Sequence, residues 1–399
     1  MIATAAAHTA HAAKDRHVLA IQDTTELNFS KHEGSKRGFG KVGNGVDIGL
    51  FLHPVVVVAA ESGGILGLAE AITLNRTRRV SKHRRKRAVT KKESQRWLDG
   101  LFAASRVLSA ARLVTMIADR ECDFYAELIA PRPDNVHLLI RSGQDRGLLG
   151  GGRLFATAEA FPIAARRTVD VPARPGGRPA RKAALAISFG SVSIARPQHQ
   201  VPKEWPASVE MRLVVAREIE PPKGEKPIVW RLLTTHVVDT LADAEQIIAF
   251  YRRRWIIEQV FRTLKAQGFD IEESQVLDAE TMTKLATATL IAAVRVMQLV
   301  MARDGSTGQK LSDALDQADE PLVEALVGKL EGATAKQKNP HPKGSLARFA
   351  WVIGRLGGWD GYIGHGYKPA GPKTMAHGLQ RFEAMRHGWQ LRHELPDHA

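Results

Sequence analysis

YRRRWIIEQVFRTLK, residues 251–265, carries the decisive pattern of this chain. Each residue of an α-helix advances the azimuth by about 100°. With Tyr251 at zero, Arg254 falls near about −60°, Glu258 near about −20° and Lys265 near about −40°, so one continuous helix would carry all four on a narrow face. Ile256, Ile257, Val260, Phe261 and Leu264 run from about 140° round to about −80°, an apolar stripe suited to docking on a core. A lone carboxylate flanked by Arg, Lys, Tyr and Trp255 suits holding a metal ion beside a polyanion. The same pattern also suits a solvated basic helix with one internal ion pair.

Upstream, two aspartates share one local setting. Asp23 follows the strand-like HVLAIQ (His17–Gln22), and Asp119 follows LVTMIA (Leu113–Ala118). The carboxyl end of a buried strand in an α/β sheet is where ligands bind. If those strands are neighbours, Asp23 and Asp119 can share one divalent ion and Glu258 can supply a ligand to a second. Hard oxygen ligands without a Cys or His cluster point to Mg²⁺ or Mn²⁺. Two such ions, roughly 3.5–4 Å apart, hold the attacking and leaving oxygens of a phosphodiester in line. Either aspartate alone reads equally as the cap of its following turn. The three carboxylates together favour metal chemistry.

The remaining chain reads as mixed α/β. Residues 50–60 (LFLHPVVVVAA) form a valine-rich strand in which Pro54 argues for an edge or an early break. Residues 94–111 are helical in pattern, 124–128 begin a helix, and 136–140 form a strand ending on Arg141. From about 155 to 238 the texture is β-rich, with strands expected at 184–195, 208–219 and 228–238. From Thr240 the pattern turns helical.

Lys and Arg outnumber Asp and Glu by 57 to 42, a formal net charge of +15 with a pI near 10.0. Nucleic acid is the commonest partner for that imbalance, ahead of acidic membrane. Residues 76–92 hold ten Lys or Arg and no acid, which reads as a solvated loop or a DNA contact. The single cysteine, Cys122, excludes an intrachain disulfide and a multi-cysteine zinc site, and fits a reducing cytoplasm. Residues 285–302 come closest to a membrane span, but Lys284, Arg295 and Arg303 interrupt or bound them, so they read as a buried helix. The alanine-rich start lacks the basic opening of a signal peptide.

Asp23-Thr-Thr, Asp119-Arg-Glu and Tyr251-x2-Arg254-x3-Glu258-x6-Lys265 together resemble the DDE transposases of the insertion-sequence-four group, to which the transposase of transposon five belongs. Asp119 follows Asp23 by 96 residues (119 − 23), and Glu258 follows Asp119 by 139 (258 − 119). The long second interval fits the β-rich insertion that this family carries in its ribonuclease-H-like fold. The tail from Gly344 to Trp359 is also similar to the family's C-terminal region.

The resemblance implies an α/β fold with a ribonuclease-H-like mixed sheet flanked by helices, a β-rich insertion between the second and third carboxylates, and a C-terminal helical region. Residues 1–16 are then a short flexible leader, 17–305 the catalytic domain with its insertion at about 155–238, and 306–399 the helical region, a candidate for dimerisation. It makes Asp23, Asp119 and Glu258 the catalytic, metal-binding triad for two Mg²⁺ or Mn²⁺ ions. Tyr251, Arg254 and Lys265 would grip phosphates near the transposon end, Trp230 would accept a flipped base, and Trp255 and Arg141 would lie near the DNA. The implied reaction is cut-and-paste transposition through a DNA hairpin, performed by a homodimer in a synaptic complex with transposon-end and target DNA in a bacterial, nucleoid-associated setting. Trp230 reads otherwise as a core tryptophan of a β-hairpin. Family members carry an N-terminal helical domain that recognises the transposon end, which residues 1–16 are too few to build. That leaves two alternatives open: a non-catalytic DNA-binding or dimerising regulator of a longer transposase, and a ribonuclease-H-like nuclease outside transposition.

Overall fold

The computed structural model describes residues 1–43, 45–76, 93–171, 173, 179–198, 201–362 and 368–394. The basic segment is therefore outside the described residues except for Arg76. The chain opens with α1 (Ile2–Ala13), β1 (His17–Gln22), β2 (Thr25–Asn28), β3 (Gly40–Lys41), β4 (Ile48–Ala59) and β5 (Ile65–Leu74). There follow α2 (Gln95–Val107), β6 (Leu113–Ala118), α3 (Tyr125–Leu128), β7 (Val136–Arg141) and α4 (Leu154–Ala160). The β-rich stretch is β8 (Ala165–Val171), β9 (Arg181–Ala195), β10 (Ser208–Ile219) and β11 (Val229–Thr234). Helices then take over as α5 (Leu241–Arg252), α6 (Trp255–Lys265), α7 (Ala279–Ala302), α8 (Glu320–Leu330), α9 (Leu346–Leu356) and α10 (Pro372–Glu394).

Two compact units divide the chain: unit 1 is Met1–Arg79, Arg106–Arg112 and Trp255–Ala399, and unit 2 is Val80–Ser105 and Leu113–Arg254. This division differs from the expected boundary after residue 305. In unit 1 the buried residues Val296, Leu299 and Ala302 of α7 share one core cluster with Phe349, Trp351 and Phe382 of α9 and α10. A cut at 305 would split that core.

Unit 1 is built on β4, which is buried along nearly its whole length and pairs antiparallel with β1, β2, β3 and β5. A strand covered on both faces needs the unbroken apolar run that IGLFLHPVVVVA provides. Residues 1–16, expected as a flexible leader, instead form α1, which packs on β5 and buries Ala6, Thr9, Ala12 and Ala13. Gly67 of β5, at φ +147°, makes this docking possible, because a Cβ there would lie 2.2 Å from Thr9 Oγ1. By length and composition α7 would suit a bilayer, with a mean hydropathy of 1.8 over an 18-residue window; half of that window is buried among its neighbours.

Unit 2 is a mixed sheet. β6 and β7 run parallel, with Val114 to Ala118 opposite Val136 to Ile140. Beyond β7 the order continues antiparallel through β11, β10 and β9 to β8, so the β-rich stretch extends the sheet from β7 outward. α5 starts with a capping box in which Thr240 and Asp243 exchange side-chain and backbone hydrogen bonds, and it buries Ala244, Ile247, Phe250 and Tyr251.

Candidate functional site

β1 and β2 are one strand with an interruption. Gln22 lies opposite Val55 and Thr25 opposite Leu52 in continuous register, so Asp23 and Thr24 fall level with Pro54 and His53. Pro54 has no N–H to give, and the ladder opens beside it. The proline expected to mark an edge or break of its own strand therefore breaks its neighbour, while β4 stays paired on both sides. At the break the buried Asp23 turns back on the chain, its Oδ1 accepting the Thr24 N–H at 2.8 Å. Thr24 Oγ1 meets His53 Nδ1 at 2.8 Å, and His53 Nε2 lies 3.3 Å from Gln22 Oε1.

Asp119 leaves the carboxyl end of β6. Its Oδ1 accepts the Glu121 N–H at 2.8 Å and caps the 3-10 turn at Arg120–Cys122. Capping and site membership are thus compatible in one residue. Because Ala118 lies opposite Ile140, the register places Asp119 level with Arg141 on β7. Arg141 Nη2 donates to the Val229 carbonyl at 3.0 Å. Tyr251 of α5 is buried, and burial chiefly pushes its hydroxyl pKa up. Arg254 and Arg141 oppose that rise, Arg141 also by hydrogen bonding, whereas the Asp119 carboxylate adds to it. The Tyr251 hydroxyl is thus acted on by Arg254, Arg141 and Asp119, all of unit 2. Trp230 meets Tyr251 edge-on with ring centroids 5.3 Å apart. It also packs, half-buried, against Val171, Ala183, Leu185 and Ala216, so the core-tryptophan reading describes its present packing.

The expected continuous helix across residues 251–265 is broken. α5 ends at Arg252, Arg253 and Arg254 close short i→i+3 turns onto Phe250 and Tyr251 at 3.0 Å, and α6 begins at Trp255. Arginine is a good helix former, so local propensity gives no sign of the break; tertiary packing overrides it. Tyr251 therefore belongs to α5, Arg254 to the turn that follows it, and Glu258 and Lys265 to α6. On α6 itself the pattern survives. Ile257, Val260, Phe261 and Leu264 are buried, each contributing about 1.5–3 kcal/mol, while Ile256 is only half-buried. Glu258 sits in the first turn, where a negative charge is favoured, and Lys265 lies 3.5 Å from Glu272. Trp255 is 59% exposed.

Among the described residues, no three His, Cys, Asp or Glu side chains stand as a group able to hold a metal ion.

A buried group that sequence reasoning missed lies four residues beyond Asp119. Asp123 is 1% exposed and accepts from Arg146 Nε at 2.8 Å, Gly143 N at 2.8 Å, Gln144 N at 3.0 Å and Ser142 Oγ at 3.2 Å. It clamps the loop that follows Arg141 onto the turn that follows Asp119. The acids of Asp119-Arg-Glu-Cys-Asp123 are visible in the sequence, but a partner 23 residues away leaves no local signature.

A cryo-EM structure of the piggyBac transposase synaptic complex with hairpin DNA is similar over 81% of this chain and 56% of that one, at 9% identity and a TM-score of 0.34. The chain thus spans little more than half the length of that protein, and backbones this loosely matched decide nothing about the site. The model of the transposase DDE domain family matches residues 53–295, a stretch that includes Asp119, Arg141, Trp230 and the whole Tyr251–Lys265 pattern but not Asp23. With more than half its length matched, this chain belongs to the transposase DDE domain family.

Proposed function

We propose that this chain is a cut-and-paste DNA transposase of the insertion-sequence-four group, working on double-stranded DNA as a homodimer in a synaptic complex. Asp23, Asp119 and Glu258 are its catalytic carboxylates on a ribonuclease-H-like frame. The observation that carries this reading is the register at the carboxyl end of β6, which sets Asp119 level with Arg141, with the buried Tyr251 hydroxyl within electrostatic reach of both. Arginines beside a carboxylate suit a site that must bind phosphate while keeping a negative ligand for a cation.

The donor set fits Mg²⁺ or Mn²⁺, because all three side chains offer hard oxygens. Asp23 and Asp119 each have one oxygen fixed by a main-chain N–H, which orients the carboxylate. Two such ions, when bound, would align and neutralise the attacking and leaving oxygens of the phosphodiester. Arg141, Arg254 and Lys265 neutralise backbone phosphates without reading bases. Trp255 presents an exposed indole on which an extruded base can stack, worth roughly 1–3 kcal/mol. Trp230 has only its outer side to offer, since its edge contact with Tyr251 and its core packing occupy the rest. In sequence, water frees a 3′ hydroxyl at the transposon end, that hydroxyl closes a hairpin on the opposite strand, a second water opens it, and the 3′ end joins target DNA. Every step is an in-line phosphoryl transfer, so one site can serve all of them.

Glu258→Gln tests the assignment. Strand cleavage should fall by more than about 100-fold, Mn²⁺ binding followed by electron paramagnetic resonance should weaken, and affinity for DNA ends should stay within about twofold. Cleavage retained at the wild-type rate would remove Glu258 from the chemistry.

A further inference from the structure

Within unit 1, α1, β5 and α7 line a partly open cavity of about 520 Å³, with residues 312–314 along one side. That volume lies in the range of small-molecule sites, roughly 300–1,000 Å³. Ala5, Leu66, Leu68, Ala288 and Ile291 give it an apolar wall. Arg295 of α7 interrupts that wall.

The guanidinium is held in place. Its Nη1 donates to Gln298 Oε1 at 3.0 Å, and the buried Gln298 donates its Nε2 to the Asp313 carbonyl at 3.0 Å. The Asp313 carboxylate, the acid on the cavity wall, is already taken by Arg16 at 2.9 Å. From α10, Glu383 and Arg386 act on Arg295 in opposite senses, and they pair with each other at 3.3 Å. Among the described residues, no hydrogen bond uses Nε or Nη2 of Arg295. Burial pushes its pKa down to about 10, which still leaves it charged at neutral pH. The result is a half-buried cation on the cavity wall, pinned through Nη1, whose Nε–Nη2 edge offers the two parallel N–H donors that a carboxylate accepts in fork geometry.

We propose that this cavity binds a small molecule carrying one carboxylate on an apolar body, with the carboxylate bridging Nε and Nη2 of Arg295. Burying a charge without a partner is unfavourable, and an apolar wall rejects a heavily hydrated ion. The pair of features therefore selects an anion with an apolar tail over a free inorganic one. Nothing in this assignment depends on the DNA chemistry.

Octanoate, 1-octanol and inorganic phosphate serve as probes of the full chain in calorimetric titrations. Octanoate should bind saturably with a Kd of about 0.1–1 mM, whereas octanol and phosphate should bind at least about tenfold more weakly. Arg295→Met should weaken octanoate by about 10–100-fold. Ala288→Phe keeps the guanidinium but fills the cavity, and it should abolish binding while leaving the fold intact by circular dichroism; it decides the matter if Arg295→Met fails to fold. No saturation by octanoate up to about 10 mM, equal binding of octanol or phosphate, or unchanged octanoate affinity in Ala288→Phe would each overturn the assignment.

Discussion

Asp123→Ala should destabilise unit 2 by about 3 kcal/mol, and the size of that loss follows from which partners water can rescue. Asp123 accepts four hydrogen bonds, but they are not equivalent. Gly143 and Gln144 are exposed, so their amides can turn to water at small cost. Ser142 Oγ has a second acceptor, the Gln144 carbonyl at 3.1 Å. Arg146 has no such escape. It is 8% exposed, and losing the carboxylate leaves a buried cation whose neighbouring acceptor is the Asp123 carbonyl. Breaking a buried pair from one side costs about 3–5 kcal/mol, and the surviving carbonyl contact places this case at the lower end.

Replacing both partners with apolar groups removes the stranded charge. Asp123→Leu combined with Arg146→Met should therefore cost only the loop hydrogen bonds, about 1–2 kcal/mol, and be more stable than Asp123→Ala alone. Urea unfolding followed by tryptophan fluorescence measures the global term, and amide exchange at Gly143 and Gln144 measures the local one. A single variant within 1 kcal/mol of wild type, or a double variant less stable than the single, would refute the clamp as the source of the energy.

Two other expectations follow from buried or close-packed positions. His137, stacked on His236 with ring centroids 4.2 Å apart, has its pKa lowered mainly by burial and further by Arg132. The unfolded state then takes up a proton first, so the stability His137 contributes is full above its unfolded pKa of about 6.5 and is lost as pH falls through that value towards the lower folded one; His137→Gln should flatten the thermal-unfolding midpoint between pH 7 and 5, and an unchanged slope would exclude His137 as its source. In α10, a Cβ at Gly378 would lie 1.8 Å from the Ile353 carbonyl oxygen of α9, whereas one at Gly388 meets nothing within 4 Å. Gly378→Ala should thus cost about 1–3 kcal/mol and Gly388→Ala stabilise by up to about 1 kcal/mol in chemical denaturation, a contrast that equal effects would erase.

The elements that could be read in advance were those whose signal is carried within a few residues. HVLAIQ, LVTMIA and the run from Ser208 to Ile219 are strands because they combine continuous or alternating apolar residues with β-branched ones, and they appear as β1, β6 and β10. α1 escaped notice because its docking on β5 depends on a glycine in one meeting a threonine in the other, 58 residues apart. The same holds for Asp123 and Arg146.

The break at residues 253 and 254 marks the sharper limit. Residue identity survives a change of backbone phase, so Tyr251, Arg254, Glu258 and Lys265 keep the chemistry their side chains imply whatever the chain does between them. Azimuth does not survive it. Once i→i+3 turns replace the α-helical ladder, 100° per residue no longer accumulates across the junction, and the shared face computed through it loses its meaning. What remains are two faces set by two different packings. Tyr251 is turned inward beside Trp230 by the buried side of α5, and Glu258 is left half-exposed by the apolar stripe of α6. A spacing motif that crosses such a junction therefore specifies which groups a site requires, and only the packing of each helix specifies where they point.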